Sequence, residues 1–229
     1  MNRFGLRIGA VFGWIAFLGV AIGLVVLPMA IAGQPPTLHS AAVDVRTYFG
    51  HQELAVVNAL SPLIAIALIP FALALRNALR DGDDTARFAA DVGILAVIVA
   101  APLYVISSSL GVALAGLATG DANAFDASFR LYSVLYDGGA DFLEGAWVGA
   151  FALAMLGAPE GRWLGGLGVA VALSRWVKAT APVVALPDAL ALVGGIAFLV
   201  WFAWTVVWLT RRSMDASVAH VAVSSPAAV

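Results

Sequence analysis

The stretch Leu54–Leu75, LAVVNALSPLIAIALIPFALAL, decides the fold class. It holds no charged residue, and its polar side chains are Asn58 and Ser61. A helix needs about 20 apolar residues to cross the hydrocarbon core of a bilayer, at a rise of about 1.5 Å per residue. This run is long enough. A membrane-crossing β-strand would be about 10 residues long and would alternate apolar with polar, whereas here the apolar residues are continuous. The stretch reads as a transmembrane α-helix.

Windows of the same kind lie on both sides: Ile8–Ala32, Phe88–Leu117, Leu131–Gly157, Leu164–Leu186 and Ala189–Leu209. The chain is therefore expected to be all-α, a polytopic transmembrane bundle of six spans. The Phe88–Leu117 and Leu131–Gly157 windows are long, which predicts tilt or extension beyond the bilayer. Composition agrees. Of 229 residues, 62% are hydrophobic and 11% charged, with a mean hydropathy of +0.96. A soluble domain carries about 25% charged residues, so this chain cannot cover a water-facing surface. Its partner is the lipid bilayer. Residues 1–212 form the membrane domain, and Ser213–Val229, rich in Ala, Val and Ser without periodicity, reads as a disordered tail.

Sidedness follows from the basic residues. One side holds Arg3, Arg7, Arg76, Arg80, Arg87, Arg162, Arg211 and Arg212; the other side and the interior hold Arg46, Arg130, Arg175 and Lys178. Eight against four puts both termini in the cytoplasm. All four tyrosines, Tyr48, Tyr104, Tyr132 and Tyr136, then fall toward the outer half. Ala30-Ile31-Ala32 has the form of a signal-peptide cleavage site, which would leave five spans. The apolar run before it exceeds the 7–15 residues or so of a signal core, so an uncleaved first helix is expected. The outer loop Gly33–Glu53 opens with Pro35-Pro36, which stops the helix. Within it, Ala41–Phe49 reads as a short surface element. The turn Asp81-Gly82-Asp83-Asp84 carries too few of the ligands of a calcium loop and reads as solvated.

A net charge of −2 gives nucleic acid no basic surface. The absence of cysteine removes disulfides, thiolate metal sites and cysteine nucleophiles. No oligomer is implied, and no cofactor.

The informative residues lie in the fourth and fifth windows. Asp137, Asp141 and Glu144 are spaced four and three apart, which puts them on one helix face. Arg175 and Lys178 are three apart on the next helix. A lone charge at the bilayer centre costs on the order of 3 kcal/mol or more, so these groups need partners or water. Counted from the cytoplasmic ends of antiparallel helices, Glu144 lies about 20 Å up, Arg175 about 17 Å, Asp141 about 24 Å and Lys178 about 21 Å. Glu144 is expected to meet Arg175, and Asp141 to meet Lys178, with Asp137 left over. Asn58 and Ser108 sit at a similar depth and complete the candidate polar cluster.

Three readings stand open: satisfied pairs that fix helix register, a solute or proton site in a wet outer-half cavity, or a later helix start that leaves Asp137 and Asp141 solvated. The first reading makes the chain a structural or sensory subunit. The second makes it a binder or transporter of a small polar or charged solute, with proton coupling open.

Other features are read more plainly. Pro62, Pro70, Pro102 and Pro182 mark expected kinks. Asp91 suits a helix N-terminus. Gly9-x-x-x-Gly13, Gly19-x-x-x-Gly23 and Gly145-x-x-x-Gly149 permit close helix approach. Trp201, Trp204 and Trp208 read as lipid-facing anchors. An intramembrane enzyme is the third function class, without a catalytic set. Aspartyl proteolysis needs two facing aspartates that share a proton, and Asp137 and Asp141 are on one helix. A zinc hydrolase usually needs histidine, yet His39 and His51 are in the outer loop and His220 is in the tail.

Arg7-Ile8-Gly9 opening the first helix, and Ala158-Pro159-Glu160-Gly161-Arg162-Trp163-Leu164-Gly165 closing the fourth, resemble a bacterial six-helix integral membrane protein family of unknown function. The resemblance implies six spans and an inner-membrane location, and it carries no catalytic residues.

Overall fold

The computed structural model describes residues 3–80 and 82–224. Each regular element among them is helical. The first long helix joins α1 (Arg3–Leu18) and α2 (Leu27–Ala32) through a π-helical stretch, Gly19–Val26. α3 (Ala42–Phe49) is short; α4 (Gln52–Leu60) and α5 (Pro62–Ala78) follow, broken at Ser61. α6 runs Asp84–Leu117, and α7 (Ala122–Ser133) continues through a π-helical stretch, Val134–Ala140, into α8 (Asp141–Leu156). After a 3-10 turn at Pro159–Gly161 come α9 (Arg162–Lys178) and α10 (Asp188–Ser224).

Among the described residues five helices are long and apolar enough to cross a membrane: Gly5–Ala32, Gln52–Ala78, Asp84–Leu117, Ala122–Leu156 and Leu192–Asp215. The chain is a polytopic membrane helix bundle. The fifth expected window contains α9, which has 17 residues and ends at Lys178 rather than Leu186. Its stop is physical. Pro182 has no N–H and would clash with the carbonyl four residues back; the chain instead turns, with Ala181 N–H donating to the Lys178 carbonyl at 2.8 Å. Pro182 thus ends a helix instead of kinking one.

Two other boundaries differ from expectation. The fourth helix begins at Ala122, not Leu131, because the Asp121 carboxylate accepts from Asn123 N–H and Ala124 N–H and caps it. α10 continues past Arg212 to Ser224, through residues that contain neither Gly nor Pro, where a disordered tail was expected from Ser213; residues 225–229 lie outside the described ones.

Two ends of the bundle are distinct. At the arginine-rich end Arg76 pairs with Asp91, and Arg212 donates to the Ala78 carbonyl at 2.6 Å and reaches Glu160 at 3.7 Å. Asp91 therefore serves as an ion-pair partner. Asp83 caps α6 and Asp84 pairs with Arg87 at 3.2 Å, so this acidic turn is used for capping, with Asp81 outside the described residues. At the opposite end Val45 and Phe49 of α3 bury against Leu114, Phe125 and Phe129. This forms a small apolar knob beyond the bundle.

Between the ends the core is aromatic: Trp147, Phe151, Phe198, Trp201 and Phe202 are mutually packed. Trp201 is fully buried and donates to the Leu164 carbonyl at 3.1 Å, so it is a core residue and not a lipid anchor. Gly168 makes room for it. Trp204 does lie half exposed, against Trp163. The outside of the bundle displays Ile15, Leu63, Ile66, Leu95 and Val99. So much exposed apolar surface suits a hydrocarbon environment and not water.

A charged cluster between two helices

The site begins with two glycines. α8 and α9 are joined by the short segment from Gly157 to Gly161, so they run antiparallel and adjacent. A Cβ on Gly145 would stand 2.6 Å from the Trp176 ring, and one on Gly149 would stand 3.2 Å from the Ala172 Cβ. Absence of side chains here lets the two backbones close up. Trp176 Nε1 then donates to the Phe142 carbonyl at 3.1 Å and fixes the register. With that register, the acidic face of α8 meets the basic face of α9.

Five groups come together. Arg175 Nε lies 2.7 Å from Glu144 Oε1, and Lys178 Nζ lies 2.6 Å from Asp141 Oδ2. These are the two expected pairs. Two further contacts join them: Arg175 Nη1 donates to Asp141 Oδ1 at 3.3 Å, and Lys178 Nζ stands 3.7 Å from Asp137 Oδ1. Asp141 thus bridges both bases, and Asp137, expected to be left over, has Lys178 as its neighbour. Asp141 and Arg175 are buried, at 5% and 9% exposure. The contact between Arg175 Nε and Glu144 Oε1 is close, but neither atom has a well-directed hydrogen bond. Their attraction is Coulombic more than hydrogen-bonded. Three carboxylates face two bases, which leaves one negative charge in excess if all are ionised.

The π-helical stretch Val134–Ala140 carries Asp137 and runs straight into Asp141. A π turn widens the helix and is frequent at functional sites. Gly138 and Gly139 sit within it. A Cβ on Gly138 would stand 3.5 Å from Pro182, so the turn that follows α9 lies over this stretch. Aromatic faces complete the surroundings. Arg175 Cζ is 4.6 Å from the Phe198 ring centre, and Lys178 Nζ is 5.8 Å from that of Tyr136, which itself stacks on Tyr132. The Tyr104 phenol of α6 lies beside Glu144 and Trp147.

Phe198 escaped the sequence reading, and Tyr104 and Tyr136 entered it only as tyrosines of the outer half. Their signal is faint: a buried tyrosine needs a polar partner for its hydroxyl, and Tyr104 is the only tyrosine in α6.

Asn58 lies on α4 and Ser108 on α6. Asn58 packs against Gly111, and Ser108 is buried on the same helix as Gly111. Among the described residues no hydrogen bond or ion pair joins either one to the charged cluster. The open space beside the bases, between Ser174, Lys178, Leu190 and Gly194, is about 10 Å³. That holds about one water, far less than the cavity expected for a solute.

No protein-family model, no curated protein and no solved structure matches the chain.

Proposed function

We propose that the chain crosses a bacterial inner membrane six times with both termini in the cytoplasm. We further propose that its outer-half cluster of Asp137, Asp141, Glu144, Arg175 and Lys178 binds a proton or a small cation. α9, at 17 residues, is the span added to the five long apolar helices and the fifth in chain order; at about 1.5 Å per residue it is about 25 Å long, short by one turn of a full crossing. It runs from the arginine-rich end to the loop that touches His39, whose Nε2 lies 3.3 Å from the Ala181 carbonyl oxygen.

The observation that carries the binding reading is the charge count. Three carboxylates share two bases in a setting where an unbalanced charge is costly. A proton on one carboxyl, or a cation beside it, restores balance. Asp137 is the natural receiver, because its only basic neighbour, Lys178, is closer to Asp141. The test is infrared spectroscopy of the protein in lipid, reading the carbonyl stretch of protonated carboxylic acid against pH. Wild type should show this band at low pH, lose it as pH rises, and lose it again in Asp137→Asn. No pH-dependent carboxyl band in wild type, together with no effect of added small cations, would reject the reading.

A second reading, a structural or sensory subunit whose pairs lock two helices, is favoured by a separate observation. Each of the five groups already contacts an opposite charge, and the free space beside them is only about 10 Å³. On that reading Asp137→Asn is silent in every cellular assay.

A further inference from the structure

The space that fits a solute lies elsewhere. At the end of the bundle opposite the arginines, the loop after α2 and the outward face of α3 enclose a cleft of about 420 Å³. Small-molecule sites typically run about 300–1,000 Å³. Gln34, Thr37, Ser40, Asp44, Thr47 and Tyr48 line it.

The charged residue of this lining is Asp44. Thr47 gives its hydroxyl proton to the Val43 carbonyl at 2.8 Å, so only its lone pairs are left for a ligand. Asp44 is exposed and enters no ion pair among the described residues. The nearest base in sequence, Arg46, is turned away, its guanidinium 4.9 Å from the Phe125 ring centre in the knob. The cleft thus offers a carboxylate and a hydroxyl oxygen as acceptors, without a cation to satisfy them.

Its walls are firm. Pro35 and Pro36 have fixed backbone φ and supply apolar surface. Thr37 N–H donates to Ser40 Oγ at 3.0 Å and His39 N–H to Thr37 Oγ1 at 3.2 Å, which holds the loop in one shape. Tyr48 is anchored edge-on against Phe49, ring centres 5.2 Å apart. The field around the cleft has the matching sign. The segments at this end carry Asp44, Glu53, Asp121 and Asp126 against Arg46 and Arg130, and such a surface concentrates cations.

We propose that this outer cleft binds a small primary ammonium ion, with Asp44 as its counter-charge and Thr47 Oγ1 as a second acceptor. A primary ammonium brings three N–H donors to a wall that offers acceptors. Its carbon chain lies along Pro35, Pro36 and the Tyr48 ring. A quaternary ammonium has the charge but no donor, and a diol has hydroxyl donors but no charge. The proposal stands independently of what the intramembrane cluster binds.

Calorimetric titration of the full chain in lipid nanodiscs tests it, with 1,4-diaminobutane as probe. Tetramethylammonium and 1,4-butanediol are the controls. Wild type is expected to bind the diamine, at least about tenfold more tightly than either control, since about 1.4 kcal/mol separates a tenfold step. Asp44→Asn should weaken the diamine about tenfold or more, and Thr47→Val, which keeps the shape of the side chain, severalfold. Asp84→Asn, at the arginine-rich end, should leave this affinity unchanged. Thermal unfolding of each variant, unmoved from wild type, shows that the loss is local. The proposal is overturned by folded wild type that takes up no diamine at tens of millimolar. It is overturned equally by butanediol binding as tightly, by Asp44→Asn and Thr47→Val both binding as wild type does, or by Asp84→Asn removing the signal.

Discussion

Removing a base from the intramembrane cluster should cost far more than removing an acid. Ionised, the five groups sum to −1: three carboxylates against two bases. Glu144→Gln leaves two against two, a balanced set, and Arg175 keeps Asp141 at 3.3 Å. Arg175→Gln leaves three against one, a sum of −2, and strips both Glu144 and Asp141 of a partner. It also removes the guanidinium from the Phe198 face. Breaking a buried pair by deleting one partner typically costs about 3–5 kcal/mol, and Arg175→Gln belongs in that range. Glu144→Gln should stay within about 1 kcal/mol, the centre of the distribution for ordinary substitutions. The contact it loses lacks a well-directed hydrogen bond, which keeps the loss small.

The double variant returns the sum to −1 and leaves no base facing an absent acid. It should recover part of the Arg175→Gln loss, a coupling of about 1–3 kcal/mol, as expected for groups in direct contact. Reversible unfolding in mixed detergent micelles, followed by tryptophan fluorescence, measures all three. Trp147 and Trp176, which flank the cluster, report on it directly. Equal destabilisation by Glu144→Gln and Arg175→Gln would refute the reasoning, because it would mean that no carboxylate is in excess. So would a double variant as unstable as the sum of the singles.

The other expectations concern separate parts of the molecule. Reporter fusions at Gly82 and Val229 should read cytoplasmic and one at His39 external; an external signal at Gly82 would reverse the orientation. Gly145→Ala puts a methyl 2.6 Å from the Trp176 ring and should destabilise by about 1–3 kcal/mol, the usual cost of overpacking; unfolding measurements that find it neutral would mean that the α8–α9 contact is loose. Burial raises the Tyr48 phenol from its ordinary value near 10 to about 12. The folded state therefore favours the neutral phenol. That contribution is intact below about pH 10 and is lost as pH rises toward 12. Ultraviolet titration of Tyr48→Phe should lack one tyrosine that titrates in this high range in wild type, and a normal titration of all tyrosines outside the spans would contradict the burial.

The charged cluster was the most legible part of the site, and the reason is geometric. Spacings of four and three on one helix, and three on the next, hold in any register that brings the helices together, so the pairs followed from depth alone. Asp137 was not legible in the same way. Matching by depth gave Lys178 to Asp141 alone, whereas Lys178 Nζ reaches both Asp141 and Asp137, and neither Gly138 nor Gly139 announces the π turn that carries Asp137. The fate of Asn58 and Ser108 was equally hidden. Similar depth in a bundle says nothing about azimuth, and Asn58 faces Gly111. Trp201 was misread for the related reason that spacings of three and four define a face without saying which neighbour it meets. Gly168 on α9 is what receives Trp201.

The knob shows a different kind of blindness. Val45 and Phe49 are four apart, as are Phe125 and Phe129, and each pair marks one face of a short amphipathic helix. Both signals are present in the sequence. They vanish in a window of about 20 residues, the scale set by the bilayer, because each is diluted by Asp, Arg, Thr and Asn around it. The same dilution hides the cleft, whose lining is polar and therefore reads as loop. Such a chain has two solvents, and a single hydropathy scale reads only one of them. In hydrocarbon the informative residues are the rare charges. In the aqueous knob they are the rare apolar pairs, which fix α3 in place, and with it the carboxylate of Asp44 at the edge of the cleft.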